Sequence, residues 1–198
     1  MVPPMIYLVR HGETEFNRER RLQGHVDSPL TDLGRRQAEA VGAQLRRLIG
    51  AEPGWRVVAS PLGRTRRTAE ILAARLGLAE IEIEPRLIEL SWGDWDGRLR
   101  ADLAAACPAF GRSNWAFHAP TGESYAAMCA RLSDWLAGLP PEPQRRIIAV
   151  SHGVTGRVLR GVYAGLPIET IMTHDAPQDA VFQLAGGAIR RIECALAA

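Results

Sequence analysis

Two histidines stand in the same local setting at opposite ends of the chain. His11 closes Ile6-Tyr7-Leu8-Val9-Arg10-His11-Gly12, and His152 closes Ile147-Ile148-Ala149-Val150-Ser151-His152-Gly153. In each, a short apolar run ends in polar groups and a glycine, the pattern of a strand buried on both faces in a parallel sheet. Ligands of open α/β sheets sit beyond the carboxyl ends of the strands. If the two strands are neighbours, both imidazoles face one crevice with the planar cation of Arg10 beside them. Such a set suits a phosphoryl group, because a neutral imidazole is a nucleophile and a guanidinium grips phosphate oxygens in pairs.

The elements that must position these groups alternate along the chain. After the first strand, residues 15–28 read as a polar, arginine-rich loop, too polar for core. A helix follows from Thr31 or Asp32 to about Ile49, with Leu33, Gln37, Val41, Leu45 and Leu48 on one side and Thr31 as its cap. Residues 55–59 form the second strand, and Ser60-Pro61-Leu62-Gly63-Arg64-Thr65 opens a helix that stops at Gly77. Arg64 therefore sits at a helix N-terminus, where backbone N–H groups favour anions. A short strand at 81–84 precedes Glu89-Leu90-Ser91-Trp92-Gly93-Asp94-Trp95-Asp96-Gly97, poor helix material that reads as a binding loop.

Farther on, a helix from Leu99 to Ala106 and an aromatic loop from Phe110 to Gly122 lead to a helix from Ser124 to Ala137. Tyr125, Met128, Leu132, Trp135 and Leu136 give that helix its core face. The second histidine strand, a helix from Val154 to Tyr163 and a closing hairpin, Val181–Leu184 and Ile189–Cys194 across Gly186-Gly187, complete the chain. The alternation predicts an α/β fold, a three-layer αβα sandwich with a mostly parallel sheet, spanning residues 1–198 as one domain.

Composition narrows the function. The chain has 198 residues, a net charge of +2 and no long basic run, which argues against nucleic acid as a partner. Its basic side chains are arginines, suited to local bidentate anion contacts. Cys107, Cys129 and Cys194 are scattered, so neither a disulfide framework nor a cysteine metal site is expected, and reduced thiols in the cytoplasm are the simplest account. No window resembles a membrane span or a secretion signal. No GxGxxG follows a strand, which excludes a dinucleotide site of that kind.

Four markers, Arg10-His11-Gly12, Ser60 to Thr65, Glu89 with Gly93 to Gly97, and Ser151-His152-Gly153, together resemble the histidine phosphatase superfamily, or phosphoglycerate mutase-like family, over almost the whole chain. The resemblance implies that His11 is the phosphoryl-accepting nucleophile, that Arg10, Arg64 and His152 grip the phosphate, and that Glu89 is the proton donor. It implies substrate contacts for Asn17, Thr14, Gln23, Gly24 and Trp92. Glu123 and Ser124 belong to a Gly-Glu-Ser segment that closes over substrate in such proteins. Thr65 stands where alanine is common and Asp96 where glutamate often is.

The implied activity is hydrolysis of a phosphorylated small molecule through a phosphohistidine, with no metal and no cofactor. Alternatives are a cofactor-dependent phosphoglycerate mutase, a phosphohistidine protein phosphatase, and a phosphate-binding module without turnover. Mutases resembled by this chain carry a sizeable insertion between the tryptophan loop and the Gly-Glu-Ser segment. Here Gly97 reaches Gly122 through one short helix and one loop, which favours the hydrolase. Neighbouring arginines are expected to keep His11 neutral, and burial beside Trp92 and Trp95 to help Glu89 hold its proton. The sequence carries no signal of oligomeric state.

Overall fold

The computed structural model describes residues 5–106 and 115–196. Cys107 and the segment from Phe110 to Asn114 in the expected aromatic loop lie outside the described residues, as does the N-terminal Met1–Pro4. Six strands form one sheet in the order β3-β2-β4-β1-β5-β6, made of β1 (Met5–Arg10), β2 (Arg56–Ala59), β3 (Ile81–Ile83), β4 (Arg146–Ser151), β5 (Ala180–Ala185) and β6 (Ala188–Glu193). The first four run parallel, and the closing hairpin adds two antiparallel strands beside β1. The expected α/β architecture with a mostly parallel sheet is what the chain adopts.

Period-two alternation sends the strand side chains to two cores, so both faces must be covered. Met5, Tyr7, Val9, Val57, Ala59, Ile148 and Val150 pack beneath α2 (Asp32–Ile49) and α3 (Gly63–Leu76), which contribute Val41, Leu45, Leu72 and Leu76. On the opposite face Ile6, Leu8, Val58, Ile147 and Ala149 meet α5 (Tyr125–Ala137) and α6 (Gly153–Ala164) through Met128, Leu132, Trp135, Val158 and Leu159. Thr31 caps α2 as its sequence position requires, its hydroxyl accepting from Gly34 N at 3.0 Å, a contact worth about 1 kcal/mol.

Two stretches differ from expectation. Residues 15–28 are not uniformly loop: Thr14 opens a one-turn helix, α1 (Glu15–Arg18), through a capping box with Asn17. Leu22, Gln23, Gly24 and Ser28 are buried, because this stretch forms a wall of a cavity. A helix, α7 (Ile168–Thr173), follows Pro167, where only a helix stop was expected; its Ile171 is fully buried. Helix α4 (Arg100–Ala106) lies where expected, and the described part of the aromatic loop holds a 3-10 turn at Trp115–Phe117.

Candidate active site

The two histidine strands are neighbours: β1 pairs with β4 in parallel register, Arg10 opposite Ser151. The ladder continues past the strand ends, with His11 N donating to Ser151 O at 3.0 Å and Ser60 N to Val150 O at 3.0 Å. After β1 the chain goes to α2 on one face, and after β4 to α6 on the other, so a crevice opens between the strand ends. Gly12 makes the exit from β1 possible. A Cβ there would lie 2.2 Å from Gly34 O, so only glycine lets α2 dock this closely.

His11 and His152 meet edge to face across the crevice, their ring centroids 5.3 Å apart. His11 Nδ1 lies 2.8 Å from its neighbour's carbonyl, Gly12 O. A proton on Nδ1 satisfies that contact and leaves Nε2 as the free lone pair, the tautomer a nucleophile needs. Burial holds its pKa well below 6.5, with Arg64 and then Arg10 adding to the effect; the Gly12 bond opposes it. The expected lowering is therefore found, with desolvation ahead of the arginines. His152 is lowered likewise, by burial first and then by Arg64, His11 and Arg10, and its Nε2 pairs with Ser60 Oγ at 2.7 Å.

Both expected arginines converge electrostatically on these rings. Arg64, with a side chain 1% exposed, spends its terminal nitrogens on Val26 O, Asp27 Oδ1 and Gly24 O at 2.8–3.0 Å. It therefore builds the 24–27 wall beside the imidazoles, and neither Arg64 nor His152 lines the cavity in front of the cluster. Arg10 donates to Ala176 O at 2.6 Å, and burial lowers its pKa to about 10, leaving it cationic at neutral pH. Three side-chain atoms here, Arg10 Nε, Arg64 Nε and His152 Nδ1, are buried without a hydrogen-bond partner. Native proteins rarely leave buried donors unpaired, so the two arginine Nε–H groups call for an acceptor-rich ligand, and His152 Nδ1 joins them in the tautomer whose Nε2 accepts from Ser60 Oγ.

Glu89 is placed by distant backbone. Ser151 Oγ donates to Leu87 O at 2.9 Å and Thr155 Oγ1 to Ile88 O at 2.7 Å, fastening the residues before it. Its carboxylate accepts from Val154 N, Thr155 N and Thr155 Oγ1 at 2.9–3.2 Å, capping α6 from outside where His152 offers no side-chain cap. The expected setting beside both indoles is corrected: Trp92 shares the cavity with Glu89, Trp95 is core, and the carboxylate's partners are the first turn of α6.

A cavity of about 290 Å³ fronts this cluster, lined among others by Arg10, His11, Asn17, Gln23, Gly24, Glu89 and Trp92. Trp92 serves core and cavity at once, buried in the apolar cluster and stacked at 5.0 Å on Trp115, which also lines the space. Thr14 is fully buried and caps α1, outside the lining. Glu123 forms a bidentate pair with Arg131 at 2.6 and 2.8 Å, and Ser124 caps α5; neither lines the cavity. Their segment instead packs on the tryptophan loop, with Glu123 N donating to Ser91 O at 2.9 Å.

The two departures have structural roles. Asp96 accepts from Trp92 N at 3.0 Å and His25 N at 3.2 Å, tying the tryptophan loop to the 23–25 turn. Gly24 has φ +52° there, and a Cβ would strike that carboxylate at 1.7 Å. Thr65 is buried and donates back to Leu62 O at 2.6 Å.

Arg21, Arg100 and Arg157 also line the cavity and were not anticipated. Arg157 had a signal, since with α6 starting at Gly153 it lies one helical turn after that residue, beside Val154 on the lining. Arg21 and Arg100 had none, because the bridge between Arg21 and Leu99 is non-local. Among the described residues, Glu89 is the one acid on this lining.

An arrangement of this kind belongs to phosphatases and mutases of the phosphoglycerate mutase-like fold. The chain is a member of the histidine phosphatase superfamily, branch 1, whose family pattern matches residues 6–186. It is 41% identical over 169 residues to a protein of Erwinia tasmaniensis named probable phosphoglycerate mutase GpmB, across 82% of this chain and 75% of that one. Among solved structures it resembles the mycobacterial glucosyl-3-phosphoglycerate phosphatase Rv2419c in complex with VO3, with a TM-score of 0.76 and 30% identity over 96% of this chain and 97% of that one. Rv3214 of Mycobacterium tuberculosis gives a TM-score of 0.79 at 26% identity, over 98% and 97%.

Among the described residues no helix is long and apolar enough to cross a membrane, and no three His, Cys, Asp or Glu side chains are grouped to hold a metal ion.

Proposed function

We propose that this protein hydrolyses a phosphate monoester of a small molecule through a phosphohistidine on His11 Nε2. The observation that carries the reading is the cluster of three unpartnered buried atoms, Arg10 Nε, Arg64 Nε and His152 Nδ1, around a neutral imidazole with a free nitrogen. A bound monoester carries roughly −1.5 to −2 charges and supplies the missing acceptors. The Nε2 lone pair attacks phosphorus as the ester P–O bond breaks, and Glu89 in its acid form gives the leaving oxygen its proton. Water then attacks the phosphohistidine, Glu89 takes the proton back, and cleavage of P–N releases inorganic phosphate. The guanidiniums stabilise the charge on the phosphoryl oxygens in both steps.

Arg21, Arg100 and Arg157 add cationic groups that one phosphate does not need, and they favour substrates whose leaving group bears a second anion such as a carboxylate. The aromatic residues on the lining, Trp92 and Trp115, are thus joined by a basic rim. A second reading, phosphoglycerate mutase, is favoured by the names of the relatives at about 40% identity. Supplying 3-phosphoglycerate with a bisphosphoglycerate primer separates the two. The expected result is release of free phosphate outpacing formation of 2-phosphoglycerate; rapid isomerisation with little free phosphate establishes the mutase.

The pH dependence has a fixed sign. Because the folded pKa of His11 lies below 6.5, the nucleophile stays neutral in mild acid, and the acid limb of kcat/KM falls below that value once the ester's own ionisation is corrected for. His152 shares the shift, so their contribution to stability is complete above 6.5 and is lost as pH falls from there toward the folded values. A pH–rate profile with an aryl phosphate, alongside thermal melts at the same pH values, checks both. An acid limb above 6.5 removed by substitution of His11 would contradict the assignment.

A further inference from the structure

The segment 174–178 between α7 and β5 has no regular secondary structure, yet arginines hold three of its carbonyls in succession. Arg157 Nε donates to His174 O at 2.6 Å, Arg160 to Asp175 O, and Arg10 to Ala176 O at 2.6 Å. Arg160 is itself fixed, buried with its guanidinium 3.8 Å from the centre of the Phe182 ring. The strap thus sets the position of Arg10, whose Nε remains buried and unpartnered toward the site. Two residues on, Gln178 Nε2 donates to Asn17 Oδ1 at 2.9 Å.

Asn17 Oδ1 also accepts from Thr14 N at 3.2 Å. Its oxygen is therefore doubly engaged, and the amide NH2 is the end left for the cavity that Asn17 lines. A side-chain amide turns over with little change in shape, so only its hydrogen bonds decide which end faces the ligand. We propose that Gln178 is a positioning residue for anion binding: it holds Asn17 with its NH2 donors toward the phosphate and keeps the carbonyl oxygen away from it. This rests on the phosphate site described above and assigns it a support that reaches the pocket only through Asn17.

The test is binding of inorganic phosphate, measured by calorimetry, to the wild-type protein and to Gln178→Leu, Gln178→Glu, Asn17→Ala and the Gln178→Leu/Asn17→Ala pair. Gln178→Leu should weaken phosphate about tenfold, in the range of one lost hydrogen bond to a charged group. Gln178→Glu, isosteric but without a donor when ionised, should weaken it at least as much. In the double variant Gln178→Leu should add nothing beyond Asn17→Ala, since both act through one amide. Full additivity, or normal affinity in Gln178→Glu, overturns the proposal, and matching thermal melts exclude general unfolding as the cause. Binding needs no turnover, so a wild type that binds phosphate but cleaves no ester would sink the hydrolase reading while leaving this result legible.

Discussion

Replacing His11 with alanine will reduce turnover of every phosphate ester by at least about 10³-fold, because removal of a covalent nucleophile leaves only binding and electrostatic stabilisation. The fold should survive, since the imidazole's hydrogen bond among the described residues is to the adjacent Gly12 O and the strand ladder is made by backbone. Inorganic phosphate should still bind through Arg10, Arg64 and His152. In the wild type, rapid acid-free quenching during turnover of labelled substrate should trap an adduct that is stable to alkali and labile to acid, mapped to His11. Turnover near normal in His11→Ala, or a label on another residue, would refute the covalent route drawn here.

Replacing Glu89 with glutamine will separate substrates by leaving group. Alkyl phosphates, whose departing oxygen needs a proton, should lose roughly 10² to 10⁴-fold in kcat, the usual range for a general acid. Aryl phosphates should lose about tenfold or less, because a phenolate leaves without help. The same carboxylate caps α6, and glutamine turns an NH2 toward donors at Val154 N or Thr155 N, so a drop in stability of about 1–3 kcal/mol should accompany the substitution. Aryl phosphate turnover below the melting transition then reports whether the site is still assembled. Equal losses on both substrate classes would leave Glu89 as the cap of α6 and no more.

These two experiments bear on different parts of the cluster. His11 is held by its own strand and its neighbour's carbonyl, whereas Glu89 is held by the helix that begins after the other histidine strand. In the proposed reaction a phosphoryl group placed between them would be gripped by Arg10, Arg64 and His152, whose unpartnered nitrogens lie at the ends of β1 and β4 and at the start of α3.

What the sequence determined by itself follows from short-range physics. Apolar runs ending in Arg10-His11-Gly12 and Ser151-His152-Gly153 are strands because β-branched and aromatic residues favour a buried pleated setting. Thr31 starts α2, and Gly77 and Gly165 end α3 and α6 in the left-handed conformation, because caps are decided within a turn or so of the chain. Arg10, His11, Arg64 and His152 stood out for the same reason, since each lies where a strand ends or a helix begins, whereas Glu89 was singled out through the family resemblance. Tertiary structure alone decided the pairing of β1 with β4, which converts two distant histidines into rings 5.3 Å apart. It decided that Glu89 caps α6 and that Arg21, Arg100 and Gln178 reach the site region. Each of those joins residues far apart in the chain, and such contacts are selected by packing of the whole fold, whose register no local pattern encodes.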